Sequence, residues 1–257
     1  MNYQYISLEK DDCLSLITLN RPEVMNAYHK EMLLELQRAL EEIRKEDEIR
    51  IIILTGMGSK SFSVGADLDW LEDLTPRRAR ELSRLGQSIC SDIEQSSKIV
   101  LAAINGYALG GGLELALACD LRLASSRARF GQPEVKLGLV PGFDGTQRLP
   151  RMVGMGLAKE LMFTGKIIDA SEAYEVGLIN RLVTPRDLLR SSRKLGRQIA
   201  NHVPEAVGLI KSAINHGIRE GHLSGSSYET EAFGTCFARE DYPENIRDSK
   251  GFIDENI

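Results

Sequence analysis

Asn105-Gly106-Tyr107-Ala108-Leu109-Gly110-Gly111-Gly112-Leu113-Glu114, running on into Leu115-Ala116-Leu117-Ala118-Cys119, is the stretch whose reading decides the fold. With the apolar run Ile99 to Ile104 before it, the segment from Ile99 to Cys119 is about as long as a bilayer-crossing helix needs to be. Its content argues otherwise. Asn105, Glu114 and the glycine run interrupt it, and a buried strand, a glycine turn and a buried helix account for the same hydrophobicity without lipid. Successive glycines at a helix start leave backbone amides exposed where the aligned peptide dipoles favour negative charge, so the Gly111 region is a candidate anion or oxyanion site. Glu114 is the single acid in that apolar helix. Buried and unpaired, a carboxylate costs several kcal/mol unless amides, cations or water compensate. Capping of the first turn is the plain alternative to a chemical role.

Outward from this segment the pattern alternates. Leu14 to Leu19 reads as a strand closed by Asn20-Arg21-Pro22, and Ile49 to Thr55 as a second, closed by Gly56. Between them, from His29 to Asp47, Met32, Leu33, Leu36, Leu40 and Ile43 recur at spacings of three and four, the signature of an amphipathic helix. Leu121 to Ala124 and Leu178 to Val183 repeat the strand theme, which makes the class α/β. Beyond about Pro185 strand signals cease, and Val207, Ile210, Ile214 and Ile218 mark a helix opening an all-helical tail. The expected organisation is an α/β core over residues 1–190 and a helical extension over 191–257.

Composition narrows the function. The chain has 257 residues, 42% hydrophobic and 27% charged, an ordinary globular balance that excludes disorder and fibrous repeats. Its 32 basic residues against 37 acidic ones give a net charge of −5, so nothing general draws it to nucleic acid. Cys13, Cys90, Cys119 and Cys236 lie far apart without a CxxC pair, which fits buried thiols in a reducing compartment. His29, His202, His216 and His222 lack metal-ligand spacing, and no metal site is expected. The first twelve residues carry no apolar run, so cytoplasm is the expected location. Gly56-Met57-Gly58 and Gly154-Met155-Gly156 begin like dinucleotide fingerprints, but Ser61 and Lys159 stand where the third glycine belongs.

Two further segments pair glycines with acids. In Phe62-Ser63-Val64-Gly65-Ala66-Asp67-Leu68, Gly65 permits a tight turn and Asp67 can cap a following helix, leaving the Ala66 amide pointing outward. In Phe130-Gly131-Gln132-Pro133-Glu134, followed by Pro141-Gly142-Phe143-Asp144-Gly145-Thr146-Gln147-Arg148-Leu149, Pro133 fixes the approach to Glu134. Two carboxylates near amides would suit acid and base roles, although spacing alone does not bring them together.

These segments, in this order and together with Asn20-Arg21-Pro22 and Asn26-Ala27, resemble the crotonase superfamily, the enoyl-CoA hydratases and isomerases, from about Leu14 to Glu240. The resemblance implies a spiral of ββα turns with a C-terminal helical trimerisation region, assembled as a homotrimer or homohexamer, binding acyl-coenzyme A thioesters. It implies that the amides of Ala66 and Gly111 form an oxyanion hole, and that Ala27, Ala66, Asp67, Leu68, Gly111 and Gly142 line the substrate and coenzyme A site. Glu114 would accept a proton from water and Glu134 would protonate the α-carbon. Isomerases of the family generally retain an acid only at the second position, so the pair points to a hydratase acting on a 2-enoyl-CoA. An isomerase or ring-acyl hydratase is the nearest rival, and an RNA-binding relative the rival from another class. No cofactor is implied, coenzyme A being part of the substrate, and neither nucleic acid nor membrane is an expected partner. Asp144 stands where the family usually has glycine, close enough in sequence to bear on Glu134. The ending Phe252-Ile253-Asp254-Glu255-Asn256-Ile257 lacks the lysine-rich character of many relatives.

Overall fold

A computed structural model describes residues 3–239; the ending from Phe252 to Ile257 lies outside them. Two compact units divide the chain, the first through Asn201 and the second from His202 onward.

In the first unit the elements are β1 (Ile6–Asp11), β2 (Leu14–Leu19), α1 (Lys30–Arg44), β3 (Ile51–Gly56), β4 (Ser61–Ser63), α2 (Leu68–Glu72), α3 (Pro76–Gln95), β5 (Ile99–Ile104), β6 (Tyr107–Leu109), α4 (Gly111–Ala118), β7 (Leu121–Ser125), β8 (Arg129–Gly131), α5 (Gly145–Val153), α6 (Met155–Thr164), β9 (Ile167–Asp169), α7 (Ala170–Glu175), β10 (Arg181–Val183) and α8 (Leu188–Ala200). One sheet runs β1-β2-β3-β5-β7-β10 and a smaller one β4-β6-β8-β9. In the large sheet only β1 and β2 are antiparallel. The chain passes from β3 to β4, returns through helices to β5, passes to β6, and returns through α4 to β7 and β8. Each circuit adds one strand to each sheet and a helix, which is the expected spiral of ββα turns.

The parallel strands β3 and β5 are buried on both faces, so their sequences are continuous apolar runs. α1 buries Met32, Leu33, Leu36, Ala39, Leu40 and Ile43 along one stripe, and each large aliphatic side chain so covered contributes about 1.5–3 kcal/mol. The His29 ring caps it, accepting from the Met32 amide at 3.1 Å. α3 had no counterpart in the sequence reading. Thr75 caps it, Pro76 fills its first position, and Leu82, Gly86, Ile89, Cys90 and Ile93 face inward while Arg77, Arg78, Arg80 and Arg84 face solvent.

Two expectations change. The strand anticipated over Leu178 to Val183 is only β10, because Gly177 ends α7 in the left-handed region (φ +76°) and Leu178 turns back to donate to the Ala173 carbonyl. The first unit also extends past residue 190 to include α8, which packs across the large sheet with Gly196 against Leu14 and Ile51. In the second unit, α9 (Pro204–Glu220) and α10 (His222–Phe237) approach closely at Gly217 and Gly225, where a Cβ on Gly225 would stand 2.7 Å from the Gly217 Cα. Ile210, Ile214 and Ile218 of α9 are exposed, as are Leu223 and Phe233. Cys90 and Cys119 are buried, Cys13 and Cys236 only partly, and all four are free thiols. Among the described residues no helix is long and apolar enough to cross a membrane.

Candidate active site

The turn from β6 into α4 uses a backbone that only glycine adopts easily: Gly110 has φ +52° and ψ −128°. Gly112 lies against β4, where a Cβ would stand 2.1 Å from the Ser63 carbonyl oxygen. This close approach seats the start of α4 on the segment Val64–Asp67. There Tyr28 forms a one-residue parallel bridge with Ala66, its N–H donating to Gly65 O at 2.7 Å and its carbonyl accepting from Asp67 N at 2.8 Å. Because successive peptide groups of an extended chain point to opposite sides, the Ala66 N–H is turned away from Tyr28. Gly111 begins α4, so its N–H has no acceptor within the helix. Gly65, at φ +88°, is pressed against it; a Cβ there would sit 2.8 Å from the Gly111 nitrogen. Two amides without a backbone acceptor thus border the start of α4, where donors of this kind can hold an anion.

All eight residues of α4 are buried. Glu114 is only 1% exposed, and its Oε1 accepts from Phe143 N at 2.8 Å and Gly145 N at 2.6 Å. Burial pushes this carboxyl up, while the amides of Gly145, Phe143 and Gly142 and the Arg148 cation oppose that rise. Glu134 lies in a 3-10 turn begun by Pro133, directly after β8. Its carboxylate lies against Gly110, where a Cβ would be 3.1 Å from Oε1. Burial, and then the charge of Glu114, lift Glu134 to about 7, in spite of its own backbone amide. The Gln132 amide, placed with its nitrogen toward Glu134, donates to Oε1 at 2.7 Å and Oε2 at 3.0 Å. The two carboxyls, Glu114 buried and Glu134 half-buried, therefore meet different surroundings.

Both glutamates open into a cavity of about 440 Å³ whose lining includes Ala66, Leu68, Gly111 and Gly142. Apolar side chains of α2 and α3, among them Leu71 and Leu82, wall one side. Ala27 and Asp67 are not part of that lining but are joined in a strut through Arg21. Arg21 Nη1 donates to Ala27 O at 2.8 Å and pairs with Asp67 Oδ2 at 2.9 Å, while Asp67 also caps α2. Asn26 secures the strut by donating to the carbonyls of Met57 and Ser61. The expected influence of Asp144 on Glu134 takes another form. Asp144 occupies a left-handed turn (φ +69°), its carboxylate lies 3.7 Å from Arg148, and the acid that bears on Glu134 is Glu114. Three contributors went unassigned in sequence: α3, Gln132 and Arg148. The period of three and four in α3 was a legible signal; the roles of the other two depend on the folded neighbourhood. Among the described residues no cluster of His, Cys, Asp or Glu could hold a metal ion.

The sequence profile of the enoyl-CoA hydratase/isomerase family matches residues 9–251. The chain belongs to the enoyl-CoA hydratase/isomerase family. Crotonyl-CoA hydratase of Syntrophomonas wolfei is 46% identical, covering 96% of this chain and 95% of the relative. Short-chain-enoyl-CoA hydratase of Clostridium acetobutylicum is 44% identical over 94% of this chain and 92% of its own. The crystal structure of an enoyl-CoA hydratase from Bacillus anthracis superimposes with a TM-score of 0.93 at 38% identity, covering 96% of each chain. In this hydratase/isomerase chain, six of the eight residues expected at the site line one cavity, and the other two, Ala27 and Asp67, are tied together by Arg21.

Proposed function

We propose that this family member hydrates short 2-enoyl-CoA thioesters, with Glu114 and Glu134 as the acid-base pair and the amides of Ala66 and Gly111 as the oxyanion hole. The observation that carries this reading is the opening of both carboxyls into one apolar cavity beside those two amides. The enzyme adds water across the double bond to give a 3-hydroxyacyl-CoA. With the thioester oxygen on the amides of Ala66 and Gly111, the Glu114 carboxylate takes a proton from water as the hydroxyl adds to the β-carbon. The electron pair moves onto the thioester oxygen as an enolate, which the two N–H groups stabilise. Protonated Glu134 then delivers its proton to the α-carbon, and its position near 7 makes that form available at neutral pH. The pair ends with its one proton on Glu114 and resets by exchange with solvent. Water, two carboxyls and two amides account for every proton and electron pair in this sequence, and coenzyme A enters only as part of the substrate.

Short acyl groups are favoured by Phe143. Its ring packs on α3 where only glycine fits, since a Cβ on Gly86 would lie 2.1 Å from it, and it also stands against Gly111. The ring closes the cavity close to the oxyanion donors, in keeping with the short-chain relatives. The exposed isoleucine stripe of α9 supports assembly as a homotrimer or homohexamer, because such a face is ordinarily covered. Four free thiols suit a reducing cytoplasm.

The test is hydration of crotonyl-CoA in oxygen-18 water by wild type and by Glu114→Gln and Glu134→Gln. Each variant keeps the side-chain shape, and each is expected to slow turnover by about a hundredfold or more. Because both residues serve one coupled event, the double variant should be little slower than the poorer single one. Product lacking label, formed by an active wild type that shifts the double bond, would establish an isomerase instead.

A further inference from the structure

Arg148 lies in α5 and is 8% exposed, yet the chemistry above does not use it. Its Nε and Nη2 donate to Glu94 Oε1 and Oε2 at 2.8 and 2.9 Å, a two-pronged ion pair reaching α3. Its Nη1 donates to the Phe143 carbonyl at 2.8 Å. The amide of that same Phe143, with that of Gly145, donates to Glu114 Oε1. Between them Asp144 holds a positive φ, which a residue other than glycine keeps only where its surroundings impose it. The guanidinium is thus tied to a fixed helix on one side and to a strained three-residue turn on the other, and that turn supplies two amides that fix the buried carboxylate.

We propose that Arg148 is a positioning residue for Glu114, holding through the Phe143 carbonyl the turn that grips this carboxylate, with Glu94 anchoring the guanidinium. The proposal rests on the reading of Glu114 as the group that activates water. A lysine cannot replace the arginine, because one ammonium cannot span both oxygens of Glu94 and the Phe143 carbonyl in a fixed plane. Charge adds a second effect. The ionisable groups bearing on Glu114 are Glu134 beyond β8, Tyr28, Cys90 of α3, and Arg148 of α5, with Glu94 and Asp144 beside the guanidinium. Of these, Arg148 is the cation, and it favours the ionised form of Glu114.

The experiment follows crotonyl-CoA hydration across pH for Arg148→Lys and Glu94→Gln, with thermal melts, and repeats Arg148→Lys in a Glu114→Gln background. Arg148→Lys is expected to lower kcat by about tenfold or more, as small displacements of a reacting group do. KM should change by less than about threefold, because the thioester-binding amides are elsewhere. The acid limb of kcat/KM should move to higher pH, since the lysine ammonium, although still a cation, is no longer held beside the turn and favours ionised Glu114 less. In the Glu114→Gln background the same change should cost little further. Glu94→Gln, at a partly exposed site, should lower kcat in the same way but more weakly, without raising the acid limb because the Arg148 charge remains, and it carries the test if Arg148→Lys does not fold. A folded Arg148→Lys with wild-type kcat and an unmoved acid limb, or failing that a folded Glu94→Gln with wild-type kcat, would overturn the proposal, as would losses that multiply in the double variant. Wild-type turnover by Glu114→Gln alone would instead overturn the reading of Glu114. A slow Glu114→Gln beside an unimpaired Arg148→Lys would remove only the positioning role.

Discussion

Replacing Gly65 with alanine tests the oxyanion hole without substituting either donor residue. Two costs can be separated. The first is backbone strain: at φ +88° an L-residue is outside its comfortable range, a penalty of about 1–3 kcal/mol. The second is steric. The new methyl would stand 2.8 Å from the Gly111 nitrogen and 3.1 Å from the Leu109 carbonyl oxygen, roughly 0.7 Å inside the optimum carbon contact in the first case. Both neighbours are backbone, so either the Gly65–Ala66 segment or the Leu109–Gly111 turn must give way, and each carries one of the two amides. Loss of one such donor is worth about 3 kcal/mol in the transition state, or roughly a hundredfold in kcat. Strain alone should lower the melting temperature by several degrees, at about 2–4 °C per kcal/mol for a protein of this size. The assay is decay of the conjugated enoyl-thioester absorbance, paired with thermal melts. Gly65→Asn separates the costs, because asparagine tolerates positive φ better but carries the same Cβ. It should recover stability and not turnover. A folded Gly65→Ala with kcat within about threefold of wild type would refute the assignment of Ala66 and Gly111 as the donors.

Hydration begins with the glutamate pair sharing one proton on Glu134, whose carboxyl burial lifts to about 7, so kcat/KM should fall as pH rises through that region. The reaction takes up no net proton, so dehydration must show the same alkaline limb, and a profile flat from about pH 6 to 9 would contradict the pairing. Phe143→Ala should relax the preference for short chains, raising kcat/KM for a longer enoyl-CoA relative to crotonyl-CoA, and an unchanged ratio across a chain-length series would show that the ring does not set depth. Light scattering at micromolar concentration should give a trimeric or hexameric mass, and a monomer mass would leave the α9 stripe without its proposed role.

The sequence by itself determined much of this protein, because its strongest signals are local. The period of α1 is written into Met32, Leu33, Leu36, Leu40 and Ile43, and the continuous apolar runs of β3 and β5 announce strands buried on both faces. The glycines at 110–112 and the acid at 114 specify a sharp turn into a buried helix with a carboxylate near its start, wherever the rest of the chain lies. Tertiary structure decided what those local features face. Nothing in the spacing places Glu134 of the segment after β8 in the same cavity as Glu114 of α4; parallel pairing of β6 with β8 does that. The sequence does not show that Arg21 joins Ala27 and Asp67; that link depends on the fold. Arg148 and Gln132 are unremarked polar residues in one dimension, because a buried polar group takes its role from its partners, and those partners are 54 residues away in Glu94 for the first and on the adjoining turn for the second. The reach of the first unit through α8 likewise depends on Gly196 meeting Leu14 and Ile51 across the sheet. Propensity and periodicity act over a few residues, whereas charge, burial and steric fit act through space, so the elements were legible in the sequence and their convergence was not.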